Sequence, residues 1–304
     1  MNMLVLGGNG FIGSHLVDLL LQNNHFVRVV DKFPERFRKP LDGVDYRIIR
    51  FDDKAELVES LTNIDIVYHC ISTTVPGTSS LDPIFDIQSN LVNSVSLLNM
   101  MAKAEMKRIV FLSSGGTVYG NPTEIPTRET HPLRPISSYG IVKVAIENYL
   151  SMYEALYKIQ PVILRASNPY GPRQGHFQTQ GVISTFLRSM KSDKELVVWG
   201  TGDIVRDYIY IDDLVKLCYQ ASISDVCGIF NVGSGKGASI NEIIDIISQI
   251  TTMLPRKKYY PQRVFDVHKI ILDISKTTET FQWSPKISLE EGIRCMWEYI
   301  SHEQ

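Results

Sequence analysis

The sequence predicts an α/β protein built on a doubly wound parallel sheet, and three observations carry that reading. Short apolar runs alternate with amphipathic stretches through the first half, a glycine-rich turn joins the first run to the first stretch, and an aspartate closes the second run. The runs at 3–6, 26–30, 46–49, 64–68, 108–112 and 162–164 read as strands, and the stretches 11–22, 54–61, 83–104 and 137–157 as helices. Apolar strands alternating with helices fit a parallel sheet covered on both faces.

The second half is less regular. Residues 179–191, 212–221, 240–250 and 289–300 read as helices, 196–199, 208–211 and 229–232 as strands, and Pro255, Pro261 and Pro285 punctuate loops. A smaller C-terminal α/β part is expected there. No internal repeat or low-complexity segment is visible.

Composition narrows the classes. With 304 residues, 44% hydrophobic and 21% charged, the chain is expected to bury an ordinary globular core. A formal net charge of -2 without a long basic block argues against nucleic acid or an anionic membrane surface as partner. Cys70, Cys218, Cys227 and Cys295 lack C-x-x-C spacing and mostly sit among apolar neighbours, so they read as small hydrophobes rather than metal ligands or disulfide partners. No basic stretch opens the chain and no run approaches the roughly 18 apolar residues of a membrane span, so a cytoplasmic location is expected.

The turn Gly7-Gly8-Asn9-Gly10-Phe11-Ile12-Gly13 satisfies G-x-G-x-x-G between a strand and a helix. Glycine suits this place because the turn is tight, the backbone must approach a pyrophosphate, and the helix must pack closely on the strand. Free N–H groups at the helix start then face the phosphates. Asp31 ends the next strand, near the spacing of about 20 residues expected of the carboxylate that binds an adenosine ribose. A carboxylate there accepts from a 2′-hydroxyl and repels a 2′-phosphate, which selects NAD over NADP. Lys32, Arg36 and Arg38 follow and read as an ordinary solvated loop.

Tyr139 and Lys143 lie four residues apart, on one face of a helix. A tyrosine hydroxyl has a reference pKa of about 10, too high for an efficient base at neutral pH. A neighbouring ammonium and a nicotinamide's positive charge favour the phenolate and bring it toward the working range. Upstream, Phe111-Leu112-Ser113-Ser114-Gly115-Gly116-Thr117 leaves an apolar strand for a small-residue loop, where ligands bind in such sheets. Ser114 and Thr117 are the candidate hydroxyls for a substrate oxygen; turn-forming serines are the bland alternative.

These segments, with Leu164-Arg165-Ala166-Ser167-Asn168-Pro169-Tyr170-Gly171-Pro172-Arg173, Val205-Arg206-Asp207-Tyr208-Ile209-Tyr210 and Phe230-Asn231-Val232-Gly233, resemble the extended short-chain dehydrogenase/reductase family, in particular its nucleotide-sugar epimerases and dehydratases. The resemblance covers nearly the whole chain. It implies a Rossmann-type NAD-binding domain over 1–165, with 205–235 returning to it, and a nucleotide-sugar-binding part over 166–204 and 236–304. It implies Tyr139 as acid/base and Lys143 as the residue that holds the ribose and tunes the tyrosine. The implied cofactor-binding set is Gly7, Asn9, Gly10, Phe11, Ile12, Gly13, Asp31, Lys32, Asp52, Asp53, Ile71, Ser72, Thr74 and Asn90, with Tyr139 and Lys143. Thr73, Asn168, Arg206 and Arg263 are implied on the substrate side, where an arginine's planar fork matches phosphate oxygens.

The chain departs from the family in the small-residue loop. Gly115 stands where the family usually places Ser or Thr, so the hydroxyl's role passes to Ser114, Thr117 or a water. Gly116 and Thr117 stand where the family's dehydratases carry an Asp-Glu pair, which argues against elimination across a sugar 5,6-bond. The resemblance implies NAD-dependent, reversible epimerisation at C4 of a nucleotide-diphosphate sugar. A 4-ketoreductase of a deoxysugar nucleotide and a non-catalytic dinucleotide-sensing module stay open beside it. Many relatives pair the helices at 83–104 and 137–157 into a four-helix dimer interface, so a homodimer is expected. Ile87, Leu91, Leu98, Met101, Ile141, Ala145 and Met152 are the apolar positions that fit it, and core packing explains them equally well.

Overall fold

The first strand sets the frame. Asn2–Leu6 (β1) is buried along almost its whole length, because a central strand of a covered sheet meets helices on both faces. In chain order the other strands are Phe26–Asp31 (β2), Val44–Ile48 (β3), Ile66–His69 (β4), Arg108–Ser114 (β5), Gln160–Ala166 (β6), Asn168–Tyr170 (β7), Leu196–Trp199 (β8), Val205–Tyr210 (β9), Gly228–Val232 (β10), Gly237–Ser239 (β11), Lys257–Tyr260 (β12) and Lys269–Ile270 (β13). The helices are Phe11–Gln22 (α1), Lys54–Ser60 (α2), Pro76–Ser79 (α3), Pro83–Asp86 (α4), Asn93–Lys103 (α5), Ser138–Tyr157 (α6), Val182–Lys191 (α7), Ile211–Ser222 (α8), Ile240–Thr251 (α9), Ser275–Phe281 (α10) and Leu289–His302 (α11), with a π-helical turn over Ile87–Val92. The computed structural model describes residues 1–175, 181–262 and 267–303.

Seven strands form one sheet in the order β10-β6-β5-β4-β1-β2-β3. β1 pairs in parallel with β2 and with β4, and β2–β3 and β4–β5 are parallel as well. This is the doubly wound α/β sheet that the alternating runs predict. The winding reverses between β1 and β4, and ligands of such sheets bind outside the carboxyl ends of the strands at that reversal.

The chain divides into two compact units. The first is Met1–Val118 with Pro135–Arg165 and Val215–Phe230. Leu4, Leu6 and Val67 of its sheet pack with Leu97, Leu98 and Met101 of α5 and with Val142, Ile146 and Leu150 of α6 in one buried cluster. The second unit is Tyr119–Arg134 with Ala166–Leu214 and Asn231–Gln304. Its β11-β9-β13 sheet, with β7 beside β9, stands apart from the β12–β8 pair. α7, α9 and α11 pack on one another. Asp213 fixes the approach to α11 by accepting from Lys286 N at 2.8 Å and Ile287 N at 2.9 Å.

One long element differs from the sequence reading. The apolar periodicity over 83–104 predicts a single helix, and the structure breaks it into α4, the π-helical turn and α5. The turn holds Asn90 buried, and Asp86 is fully buried just before it. Widened helical turns of this kind are frequent at functional sites. Among the described residues no helix is long and apolar enough to cross a membrane.

Candidate active site

The glycine turn lies at the sheet's reversal. Gly7 follows β1 with φ +83°, a left-handed conformation that glycine adopts without strain, and a Cβ there would lie 3.1 Å from Ile71 N, just past β4. At position 13 a Cβ would overlap the carbonyl oxygen of Gly7, so α1 packs against the turn only because residue 13 has no side chain. Gly10 is the N-cap of α1 and supplies no side-chain cap, and the helix's first turn carries no acidic residue. Its leading N–H groups are therefore left for an anion.

Asp31 ties this turn to the end of β2. Its carboxylate accepts from Asn9 N at 3.1 Å and from Phe33 N at 3.0 Å. Burial raises its pKa, while those two N–H groups and the nearby Arg36 and Lys32 pull it back down. Asn9 Nδ2 donates to Phe33 O at 2.7 Å, and Asn9 Oδ1 is buried with no hydrogen-bond partner among the described residues. The cations of the following loop have partners rather than standing free in solvent. The Lys32 ammonium and the Arg36 guanidinium lie 4.9 and 4.5 Å from the centre of the Phe33 ring. Arg38 pairs with Asp18 at 2.5 Å and lies 3.6 Å from Glu35. A glycine turn, an uncapped helix start, a carboxylate one strand over and an orphaned buried amide oxygen together fit a dinucleotide.

The tyrosine and lysine come together as their spacing predicts. Ser137 caps α6 by accepting from Gly140 N at 3.2 Å, and Ser79 of α3 accepts from Tyr139 N at 3.0 Å. Lys143 Nζ donates to Leu112 O at 2.8 Å and lies 5.6 Å from the centre of the Tyr139 ring. Burial lowers Lys143 to about 8, against nearby Cys70, Glu147 and Asp86, which favour its charged form. The tyrosine departs from expectation: burial pushes it up to about 12, while the nearby Ser72 and Ser114 side chains oppose the rise. Within the protein alone, desolvation of the phenol outweighs its neighbours.

Of the two candidate loop hydroxyls, Ser114 is the one near enough to Tyr139 to favour its phenolate. Thr117 Oγ1 is buried without a hydrogen-bond partner among the described residues. The Thr117 backbone lies so close to α6 that a Cβ on Gly140 would stand 3.0 Å from Thr117 O.

The remaining expected residues have varied surroundings. Asn90 Oδ1 accepts from Thr73 N at 2.9 Å, and Asn90 Nδ2 lies 2.8 Å from Thr73 Oγ1 and 2.9 Å from Asp86 Oδ1. Ser72 Oγ donates to Thr74 O at 3.0 Å. Asp53 is the N-cap of α2, accepting from Glu56 N, and exposed Asp52 pairs with Arg50 at 2.8 Å. In the second unit Asn168 and Arg206 stand on neighbouring strands. Asn168 pairs with Tyr208, two residues along β9 from Arg206, so both fall on one face of that sheet. Asn168 Nδ2 donates to Asp207 O at 2.8 Å. Arg263 lies outside the described residues.

Sequence reasoning missed three buried polar residues here. Asp86 links Thr74, Asn90 and Ser138. Glu147, one turn past Lys143, accepts from Ser113 Oγ and from Arg165 Nη2, the latter at 2.6 Å. Arg165 and Glu147 are each only 2% exposed. The signal that was available is spacing: Asp86 and Asn90, like Lys143 and Glu147, recur four residues apart on faces otherwise apolar.

The comparisons with known proteins agree with this geometry. Residues 3–233 match the model of the NAD dependent epimerase/dehydratase family. The UDP-glucose 4-epimerase of Mycolicibacterium smegmatis is 32% identical over 311 residues, covering 100% of this chain and 99% of that protein. The crystal structure of a Thermotoga maritima UDP-glucose 4-epimerase with UDP-glucose superposes with a TM-score of 0.93 at 35% identity, covering 99% of both chains. That of a Thermus thermophilus UDP-glucose 4-epimerase in complex with NAD gives 0.94 at 31% identity, covering 100% of both. The chain is a member of the NAD-dependent epimerase/dehydratase family, an enzyme of the short-chain dehydrogenase/reductase type with NAD as its cofactor.

Proposed function

We propose that the protein is a 4-epimerase of UDP-hexoses, working through a 4-keto sugar, with Tyr139 as its acid/base. The observation that carries the reading is the Lys143 ammonium, held by Leu112 O and 5.6 Å from the centre of the Tyr139 ring one turn before it on α6. Bound NAD supplies a hydride acceptor that becomes the donor on return. Gly7, Asn9, Gly10, Phe11, Ile12 and Gly13 hold its pyrophosphate, Asp31 and Lys32 its adenosine ribose, and Asp52, Asp53, Ile71, Ser72, Thr74 and Asn90 line the rest.

Tyr139 takes the proton of the sugar's 4-hydroxyl as C4 is oxidised and gives it back as C4 is reduced on the opposite face. Lys143, kept cationic, favours the phenolate in the step that needs it. Ser114 occupies the role that Gly115 cannot fill, donating to the 4-oxygen, with Thr117 beside it. In this reading the glycine-turn unit is the cofactor domain and the unit carrying Asn168 and Arg206 takes the nucleotide sugar, with Thr73 and Arg263 also on the substrate. The guanidinium groups suit the diphosphate.

We place the enzyme in the cytoplasm as a homodimer. Supporting the dimer, Ile84, Ile87 and Val92, with Ile141, Met152 and Leu156 of α6, are exposed at 39% or more, whereas Leu98 and Met101 belong to the core. Exposed apolar side chains of this size on two helical segments suit an association surface. A panel of UDP-, dTDP-, GDP- and CDP-sugars, with products identified by NMR and no cofactor added, tests the reading. Interconversion of C4 epimers supports it, and consumption of added NADH with a 4-keto sugar in its place refutes it.

A further inference from the structure

Asp86 is fully buried, yet no cation is paired with it among the described residues. Its carboxylate instead gathers neutral donors from three parts of the first unit. Thr74 Oγ1, past β4, donates to Oδ1 at 2.6 Å. Asn90 Nδ2, in the π-helical turn, donates to the same oxygen at 2.9 Å. Ser138 Oγ, the first residue of α6, donates to Oδ2 at 2.7 Å. Through Asn90 the carboxylate reaches the backbone of Thr73, and through Ser138 it grips the residue next to Tyr139.

A buried ionised carboxylate costs several kcal/mol unless hydrogen bonds or opposite charge offset it. Three donors satisfy most of its lone pairs but leave its charge in the low-dielectric interior, where it acts on whatever titrates nearby. The groups it acts on are Tyr139 and Lys143. His69 and Cys70 from the end of β4 also face Lys143, as does Glu147 on α6, which Arg165 of β6 neutralises.

We propose that Asp86 is a positioning residue for the Tyr139–Lys143 pair: its carboxylate clamps the Ser72–Thr74 loop, Asn90 and the first turn of α6 into one buried polar unit, and its fixed negative charge sets the field in which phenol and ammonium exchange their roles. The proposal rests on the reading of Tyr139 as acid/base. The charge opposes phenolate at Tyr139 and favours ammonium at Lys143, so its removal moves both groups toward lower pKa. The clamp works separately from the charge. It fixes where the loop and the helix start stand relative to one another.

The two parts separate by mutation. Asp86→Asn keeps the shape and the acceptor toward Thr74 and Asn90 while deleting the charge and the acceptor that Ser138 uses, so its effect is read against Ser138→Ala, which loses that arm alone. Asp86→Asn is expected to move both limbs of the kcat–pH profile to lower pH, by about one unit, with KM changed less than twofold. In the cofactor-free protein the absorbance titration of tyrosinate, taken as the difference from Tyr139→Phe, is expected to shift in the same direction. Ser138→Ala deletes one arm of the clamp and leaves the charge. It is expected to lower kcat about threefold with both limbs in place, and it keeps the proposal testable if Asp86→Asn does not fold. A wild-type pH profile in Asp86→Asn, or a wild-type kcat in Ser138→Ala, overturns the proposal. A Tyr139→Phe variant that retains full activity would instead overturn the acid/base reading beneath it.

Discussion

Lys143 Nζ lies 5.6 Å from the centre of the Tyr139 ring, one helical turn along α6, and is anchored by its hydrogen bond to Leu112 O. The pair thus stands on one rigid helix while its anchor belongs to β5, the strand that leads into the Ser114 loop. Proton transfer by a positioned side chain contributes about 10²–10⁴-fold to a rate. Tyr139→Phe is therefore expected to lower kcat by about 10³-fold, with bound nicotinamide still present by fluorescence. A variant that loses the cofactor as well would show the hydroxyl to be structural.

The depressed Lys143 carries a cost to folding. Its folded pKa, about 8, lies below its unfolded value near 10.5, so the unfolded chain holds the proton more tightly. Below pH 8 the full penalty applies, on the order of 3 kcal/mol. It shrinks as the pH rises from 8 to 10.5 and is gone above that. Lys143→Met is thus expected to be more stable than the parent at pH 7 in urea melts, with the gap closing toward pH 10. A gap that widens with pH contradicts the assignment.

Glu147 and Arg165 test a different balance. A buried pair broken by removing one partner typically loses about 3–5 kcal/mol, whereas replacing both by apolar residues is often neutral. Arg165→Met alone is expected to destabilise by about 3 kcal/mol or more, and Glu147→Leu with Arg165→Met to recover most of it. Equal denaturation midpoints for the single and double variants would refute the pairing.

The legible parts of the site are those written in local spacing. The glycine turn, Asp31 one strand on, and the Tyr139–Lys143 turn each lie within a short stretch, where backbone geometry dictates the residue type. The hubs formed by Asp86 and Glu147 join residues up to 52 positions apart, Asp86 to Ser138 being the longest. No periodicity carries such a join. The π-helical turn was invisible for a related reason: its apolar residues keep helical spacing, and the widening comes from the buried polar groups it accommodates. Arg38 read as a solvated charge because its partner Asp18 sits on another element.

At the cofactor, Gly13→Ala places a methyl group against the Gly7 carbonyl and is expected to weaken NAD by at least about 100-fold, roughly 2.7 kcal/mol. The fold should persist by circular dichroism. For the parent protein NAD is expected to bind at least about tenfold tighter than NADP, because Asp31 repels a 2′-phosphate. Titrations giving the reverse order would contradict the role of Asp31.

Gly115 directs attention to its neighbours. Ser114→Ala removes the loop hydroxyl that favours the Tyr139 phenolate and is expected to lower kcat by about 10–100-fold, with a smaller loss in Thr117→Ala. Equal and full activity in both would assign the role to a water.

Epimerisation at C4 needs a hydride that leaves this carbon and returns to it within one enzyme molecule. UDP-galactose carrying deuterium at C4, incubated with the protein as purified and no added cofactor, tests it most directly by NMR. UDP-glucose with the deuterium retained at C4 is the expected product, and the reaction is expected to be lost in Tyr139→Phe. Product with hydrogen at C4, or no product unless NADH is supplied, would contradict it.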